Sequence, residues 1–134
     1  MQKQPGFAVS MMCMDIMNLR AQMDALNGLA QLYHVDIMDG HFAPNIALSP
    51  DFIRSVRRAA ALPVDAHLMT TEPDRWLEPV AVAGADIISL HAETINANAF
   101  RMLGRIRDLG CREGVVLNPA TPLSMAEAYM DRLA

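Results

Sequence analysis

Charged side chains are scarce in this sequence, and cysteine is scarcer. Asp, Glu, Lys and Arg make up 19% of the 134 residues while apolar types reach 52%, against ~25% charged in an average soluble domain. So apolar a chain is neither a disordered tail nor a low-complexity linker. Basic residues number 11 and acidic residues 15, a formal net charge of −4. With no basic run, this argues against nucleic acid or an anionic membrane surface as the main partner. No stretch approaches ~18 consecutive apolar residues, so no membrane span is expected. The first ten residues lack the apolar core of a secretory leader. Cys13 and Cys111 are too few and too far apart for a disulfide framework or a zinc ribbon, which suits a reducing compartment. These absences point to a cytoplasmic globular protein. The length has room for a single domain over 1–134 and for no second core.

Apolar runs and helical periods alternate along the chain. Strand-like runs lie at Phe7–Met12, Leu32–Met38, Pro63–Met69, Asp86–His91 and Glu113–Asn118, each followed by a helix-like segment. In the first such segment Ile16, Leu19, Met23, Leu26 and Ala30 recur at steps of three and four, with Asp15 as N-cap. The second opens at Ser49-Pro50, a cap followed by proline at the first helical position, and carries Phe52, Ile53, Val56 and Ala60 before Pro63. The third runs from Glu72 to Ala83 and ends at Gly84. Pro79 inside it removes a backbone hydrogen bond, so a kink or a shortened helix is predicted. The fourth starts after Thr94, carries Phe100, Leu103 and Ile106, and ends at Gly110. Thr121-Pro122 opens the last, with Met125, Ala128, Tyr129 and Leu133 as its stripe.

Five strand–helix units without a hairpin signal imply an α/β fold with a parallel sheet. Counting favours an open doubly wound sheet, because a (β/α)8 barrel takes eight units and ~250 residues. The residues on the strands point the other way. A strand covered on both faces reads as continuous Val, Ile and Leu, yet His34, Asp36 and Met38 alternate with Val35 and Ile37. Asp65, His67 and Met69 likewise alternate with Val64, Ala66 and Leu68. Ser89 pairs with His91, and Ala8 and Ser10 with Met12, on the same side.

Buried carboxylates need compensation. A divalent cation held by His34, Asp36 and His67 supplies it, and imidazole with carboxylate suits Zn, Mn, Fe or Co without choosing among them. The alternative is a core hydrogen-bond network without metal. Met38 and Met69 are either packing or soft walls beside a bound substrate. His41, in the loop Asp39-Gly40-His41-Phe42-Ala43-Pro44-Asn45, is open to a structural or a functional reading.

The run His34-Val35-Asp36-Ile37-Met38-Asp39-Gly40-His41-Phe42-Ala43-Pro44-Asn45 resembles the signature of the ribulose-phosphate 3-epimerase family. Ser10, Asp65-Ala66-His67-Leu68-Met69 and Leu117-Asn118-Pro119-Ala120-Thr121-Pro122 agree in order and spacing. His91-Ala92-Glu93 resembles the family's H-P-E with alanine for proline, and Val9 replaces the proline usual before Ser10. Met12-Cys13-Met14-Asp15 and Ala47-Leu48-Ser49-Pro50 are more similar to the D-allulose-6-phosphate 3-epimerase branch.

The resemblance implies a TIM barrel, one divalent cation and C3 epimerisation of a ketose phosphate, D-allulose 6-phosphate ahead of D-ribulose 5-phosphate. By resemblance, Asp36 is a ligand and an acid/base group, and His34 and His67 are ligands. Ser10, His67, Met38 and Met69 then face the sugar phosphate. The family's strand-seven aspartate and later glycine-rich loops have no counterpart here. The chain is therefore expected to be units one to five, the N-terminal five-eighths of the barrel, with little activity alone. A reading from another class is a non-catalytic half-barrel that pairs with another half or with itself as a homo-oligomer. An open-sheet signalling or nucleotide-binding domain would need an acidic cluster with a lysine, or a G-x-G-x-x-G turn, and the sequence has neither.

Overall fold

The computed structural model describes residues 6–133. Residues 1–5, half of the segment searched for a leader, and residue 134 lie outside the described residues. The strands are β1 (Ala8–Ser10), β2 (Leu32–Asp39), β3 (Ile46–Ala47), β4 (Val64–Met69), β5 (Ile87–His91) and β6 (Arg112–Val116). Five of them lie side by side as β1-β2-β4-β5-β6, every pair parallel. A doubly wound sheet reverses its order where the helices change faces. Here the order never reverses, so the chain forms a parallel sheet of β/α units, an arc of a TIM barrel, and the preference from counting is overruled. The short β3 was not foreseen; it pairs antiparallel with the end of β2.

The outward residues of the central strands build the core. Val35, Ile37, Ala66, Leu68, Ile88 and Leu90 are all buried, each large one worth ~1.5–3 kcal/mol in removed apolar surface. Over them lie α1 (Leu19–Leu26), α2 (Pro50–Arg57), α3 (Leu77–Ala83), α4 (Ala92–Ile95) and α5 (Ala99–Asp108). The Ser49 hydroxyl accepts from the Phe52 N–H at 3.3 Å, with Pro50 opening α2, as predicted. Arg57 at the other end of α2 donates to Asp86, whose carboxylate also accepts from the Val64 N–H, both at 2.8 Å. One aspartate thus joins α2 to the starts of β4 and β5. The predicted shortening at Pro79 is present: a 3-10 turn, Pro73–Arg75, precedes α3. Pro79 falls in the first turn of α3, where its missing N–H has no helical partner to lose.

Four expectations are corrected. Strand one ends at Ser10, and Met12 leaves its face in a 3-10 turn, Met11–Cys13. Asp15 caps only the 3-10 turn Ile16–Asn18, and α1 begins at Leu19. The Gln22 side chain occupies the Asp15 and Asn18 carbonyls, so Ile16 stays 64% exposed rather than joining the stripe. The fourth helix is two, α4 and α5, split by a 3-10 turn at Asn96–Asn98 where Asn96 has φ +29°. Its Phe100 lies outside the core, edge-on to Tyr129 and beneath the Arg132 guanidinium. The last segment is 3-10, Leu123–Met125 and Glu127–Arg132. A period of three puts Ala126 and Tyr129 inward, leaving Met125 and Ala128 exposed.

Candidate metal centre

Register between β2 and β4 assembles the site. His34 stands opposite Asp65, Asp36 opposite His67 and Met38 opposite Met69, so the alternation read from each strand meets its mirror on the next. On the inner face, His34 Nε2 lies 3.2 Å from Asp36 Oδ1, His67 Nδ1 lies 2.9 Å from the same oxygen, and the two imidazole nitrogens are 3.3 Å apart. Three donor atoms therefore form a triangle.

Ligands ~2.0–2.1 Å from a first-row divalent ion stand about 3 Å from one another, so the triangle has the size of one face of a coordination polyhedron. Among the described residues, the grouping of three or more His, Cys, Asp or Glu able to converge on an ion is His34, Asp36 and His67. A proton between two imidazole nitrogens and a carboxylate oxygen does what a cation does more completely. The donor set fits a divalent ion.

Protonated, the same groups form the hydrogen-bond network that was the alternative reading. Hydrogen bonds to Asp36, then to Asp65, raise His34 to about 10 against the opposing effect of burial. Burial pushes the Asp36 carboxyl up, but hydrogen bonds from His34 and His67 outweigh it and hold the group well below the usual carboxylate range. Cation and protons thus compete for one set of atoms.

Behind each imidazole stands a second partner. His34 Nδ1 lies 2.9 Å from Asp65 Oδ2, and Asp65 Oδ1 accepts from the Ser89 hydroxyl at 2.8 Å. His67 Nε2 lies 2.9 Å from His91 Nε2. Burial, then the neighbouring His67, lowers His91. The Ser10 hydroxyl donates to Asp36 Oδ2 at 3.3 Å, so β1 contributes to the carboxylate's orientation. Met38 and Met69 are half-buried on the same face.

His41 lies in a turn that Asp39 organises. The Asp39 carboxylate accepts from the backbone N–H groups of His41, Phe42 and Thr71, each at 2.8 Å, and from the Thr71 hydroxyl. Desolvation raises this carboxyl, and the three backbone donors more than reverse that. His41 itself is exposed, its Nδ1 3.0 Å from the Asp39 carbonyl. The structural reading of His41 is the one the geometry supports.

Sequence reasoning placed Asp65 and His91 on the right face but gave them no part in the site. Glu93 was passed over except as a match to H-P-E. Alternation was the available signal for the first two. For Glu93 the local signal is its place two residues after His91, whose Nδ1 lies 3.2 Å away; its other partners, Asn118 and Thr121, come 25 and 28 residues later and leave no local mark.

The sequence profile of the ribulose-phosphate 3 epimerase family matches residues 6–134. The chain belongs to this family. Ribulose-phosphate 3-epimerase of Bacillus subtilis (strain 168) is 46% identical over 110 residues, covering 82% of this chain and 50% of the relative. Ribulose-phosphate 3-epimerase of Synechocystis sp. is 40% identical over 129 residues, 95% of this chain and 56% of the relative. Chloroplastic ribulose-5-phosphate-3-epimerase of Arabidopsis thaliana is 44% identical over 99 residues, 73% and 35% respectively. The chain spans about half the length of the bacterial relatives it matches. Family members so named are carbohydrate-phosphate epimerases, isomerases that invert one sugar carbon. No described helix of this member is long and apolar enough to cross a membrane.

Proposed function

We propose that this chain is a single incomplete barrel domain carrying the metal-binding part of a ribulose-phosphate 3-epimerase, with D-ribulose 5-phosphate as the sugar phosphate. The observation that carries the reading is the donor triangle of His34, Asp36 and His67 on the inner face. The names of the relatives support the five-carbon substrate over D-allulose 6-phosphate, which rested on the short runs Met12–Asp15 and Ala47–Pro50.

His34, Asp36 and His67 would hold one divalent cation, Zn, Mn, Fe or Co. When bound, the cation supplies Lewis-acid stabilisation of the negative charge that develops as the C3 proton leaves. Asp36 is the base: an ionised carboxylate, steadied by Ser10, that takes this proton and returns it. Met38 and Met69 form an apolar rim that keeps water from the reacting carbon, and Ser10 offers a hydroxyl to the sugar.

An exchange experiment tests this. The 134-residue chain, loaded with Zn(II) or Mn(II) in D2O, is given each sugar phosphate and C3 deuterium is followed by NMR. Exchange into D-ribulose 5-phosphate ahead of D-allulose 6-phosphate is expected, with inversion slow or absent because Asp36 works from one face. Faster exchange into the six-carbon sugar reverses the substrate assignment. No exchange into either overturns the reading of Asp36.

A further inference from the structure

The cation reading concerns the inner side of His67; its outer side carries a second arrangement. His67 Nε2, the nitrogen turned away from Asp36, meets His91 Nε2 at 2.9 Å, the rings stacked with centroids 4.9 Å apart. His91 Nδ1 lies 3.2 Å from Glu93 Oε2. Glu93 Oε1 accepts from the Asn118 backbone N–H at 2.8 Å and from the Thr121 hydroxyl. The row is enclosed: His91 is 3% exposed, and the Phe42 ring packs on it with centroids 4.4 Å apart.

Proton placement along the row follows from its far end. A backbone N–H only donates, so Glu93 Oε1 is an acceptor, and an ionised Glu93 leaves Oε2 an acceptor too. His91 must then donate from Nδ1. A neutral imidazole with its proton on Nδ1 presents a lone pair at Nε2. His67 must therefore donate from its own Nε2, so that once a cation displaces the proton Nδ1 shares with Asp36, the neutral ring offers its lone pair at Nδ1, the atom of the donor triangle.

We propose that His91 and Glu93 are positioning residues that hold His67 in the Nε2-protonated tautomer, the form whose Nδ1 is free to bind a divalent cation. Asn118 and Thr121, in the segment after β6, anchor the far end of the row. The inference rests on the reading of His34, Asp36 and His67 as a cation site. It adds that the site's chemistry is set from β5 and from a loop more than twenty residues further on. Partners behind a ligating histidine fix its orientation and tautomer, and their loss typically lowers metal affinity 10–100-fold.

The test uses the 134-residue chain with histidine-15N label and Zn(II) as probe. In the loaded chain, long-range proton–nitrogen correlation should show His67 protonated at Nε2 and His91 at Nδ1. His91→Phe, which can neither accept nor donate, should lose affinity for Zn(II) about 10–100-fold. His91→Gln should recover most of it, because its amide can accept from His67 and donate to Glu93. A merely structural role would not separate these two variants in that order. Should His91→Phe fail to fold, Glu93→Gln is expected to shift the His67 and His91 ring signals toward the other tautomers. A loaded chain with His91 protonated at Nε2, or a His91→Phe variant binding Zn(II) as the unaltered chain does, overturns the inference while leaving the cation site standing. An unaltered chain that binds no Zn(II) sinks the cation reading, and this inference with it.

Discussion

Asp65 Oδ2 lies 2.9 Å from His34 Nδ1, behind the imidazole whose other nitrogen faces Asp36. The two residues are direct neighbours across the β2–β4 ladder, so the contact follows from register. A carboxylate there makes the imidazole a better donor to whatever occupies the triangle.

Replacing that carboxylate is expected to weaken the site without dismantling the sheet. Asp65→Asn keeps the shape and a hydrogen-bonding oxygen but removes the charge. Zn(II) affinity, measured by competition with a chromophoric chelator, should fall 10–100-fold. Unchanged affinity would show that Asp65 serves the fold alone.

Gly114 guards the same contact from the next strand. It pairs with Ser89 across β5–β6, and a Cβ at Gly114 would stand 2.3 Å from the Ser89 hydroxyl oxygen. Gly114→Ala is expected to push that hydroxyl off Asp65 and to cost about 1–3 kcal/mol, the usual range for overpacking. Combining it with Ser89→Gly, which removes the obstructing side chain, should recover part of the loss. Urea unfolding of the single and double variants checks the coupling; simple additivity would argue against the clash.

Acid should loosen the anchor at Glu93. Desolvation opposes ionisation of this carboxyl, but donors from Thr121 and Asn118 bring it from 4.5 down to about 2. A group depressed on folding adds stability above its unfolded value and loses it as pH falls through the folded one. The stability gap between the unaltered chain and Glu93→Gln is therefore expected to be full above pH 4.5 and to close toward pH 2. A gap that stays constant across that window would remove the ionic part of the anchor.

Asp36→Asn addresses the proposed base. The amide keeps one oxygen toward the triangle but cannot take a proton, and general-base assistance contributes typically 10²–10⁴-fold. Deuterium exchange at C3 of D-ribulose 5-phosphate should fall by about that factor. Near-normal exchange in this variant would refute the assignment of Asp36.

By itself the sequence determined the layers and the face that carries the chemistry. Alternation in His34–Met38 and Asp65–Met69 is a period of two, and a pleated strand cannot send neighbouring side chains to the same side. The caps at Ser49-Pro50 and Gly84 were legible for a like reason: each acts within one turn of itself. Unit counting alone favoured an open sheet, whereas the inward polar residues and the family resemblance pointed to the barrel, and the unreversed strand order seen in three dimensions bears that out. Helix ends were also settled there, because Gln22 takes carbonyls that a continuous first helix would use. So was the row from His67 through His91 to Glu93 and the segment at Asn118 and Thr121. Apart from the near-neighbour pair His91 and Glu93, its contacts join residues more than twenty positions apart, and nothing in local periodicity encodes a hydrogen bond across that separation.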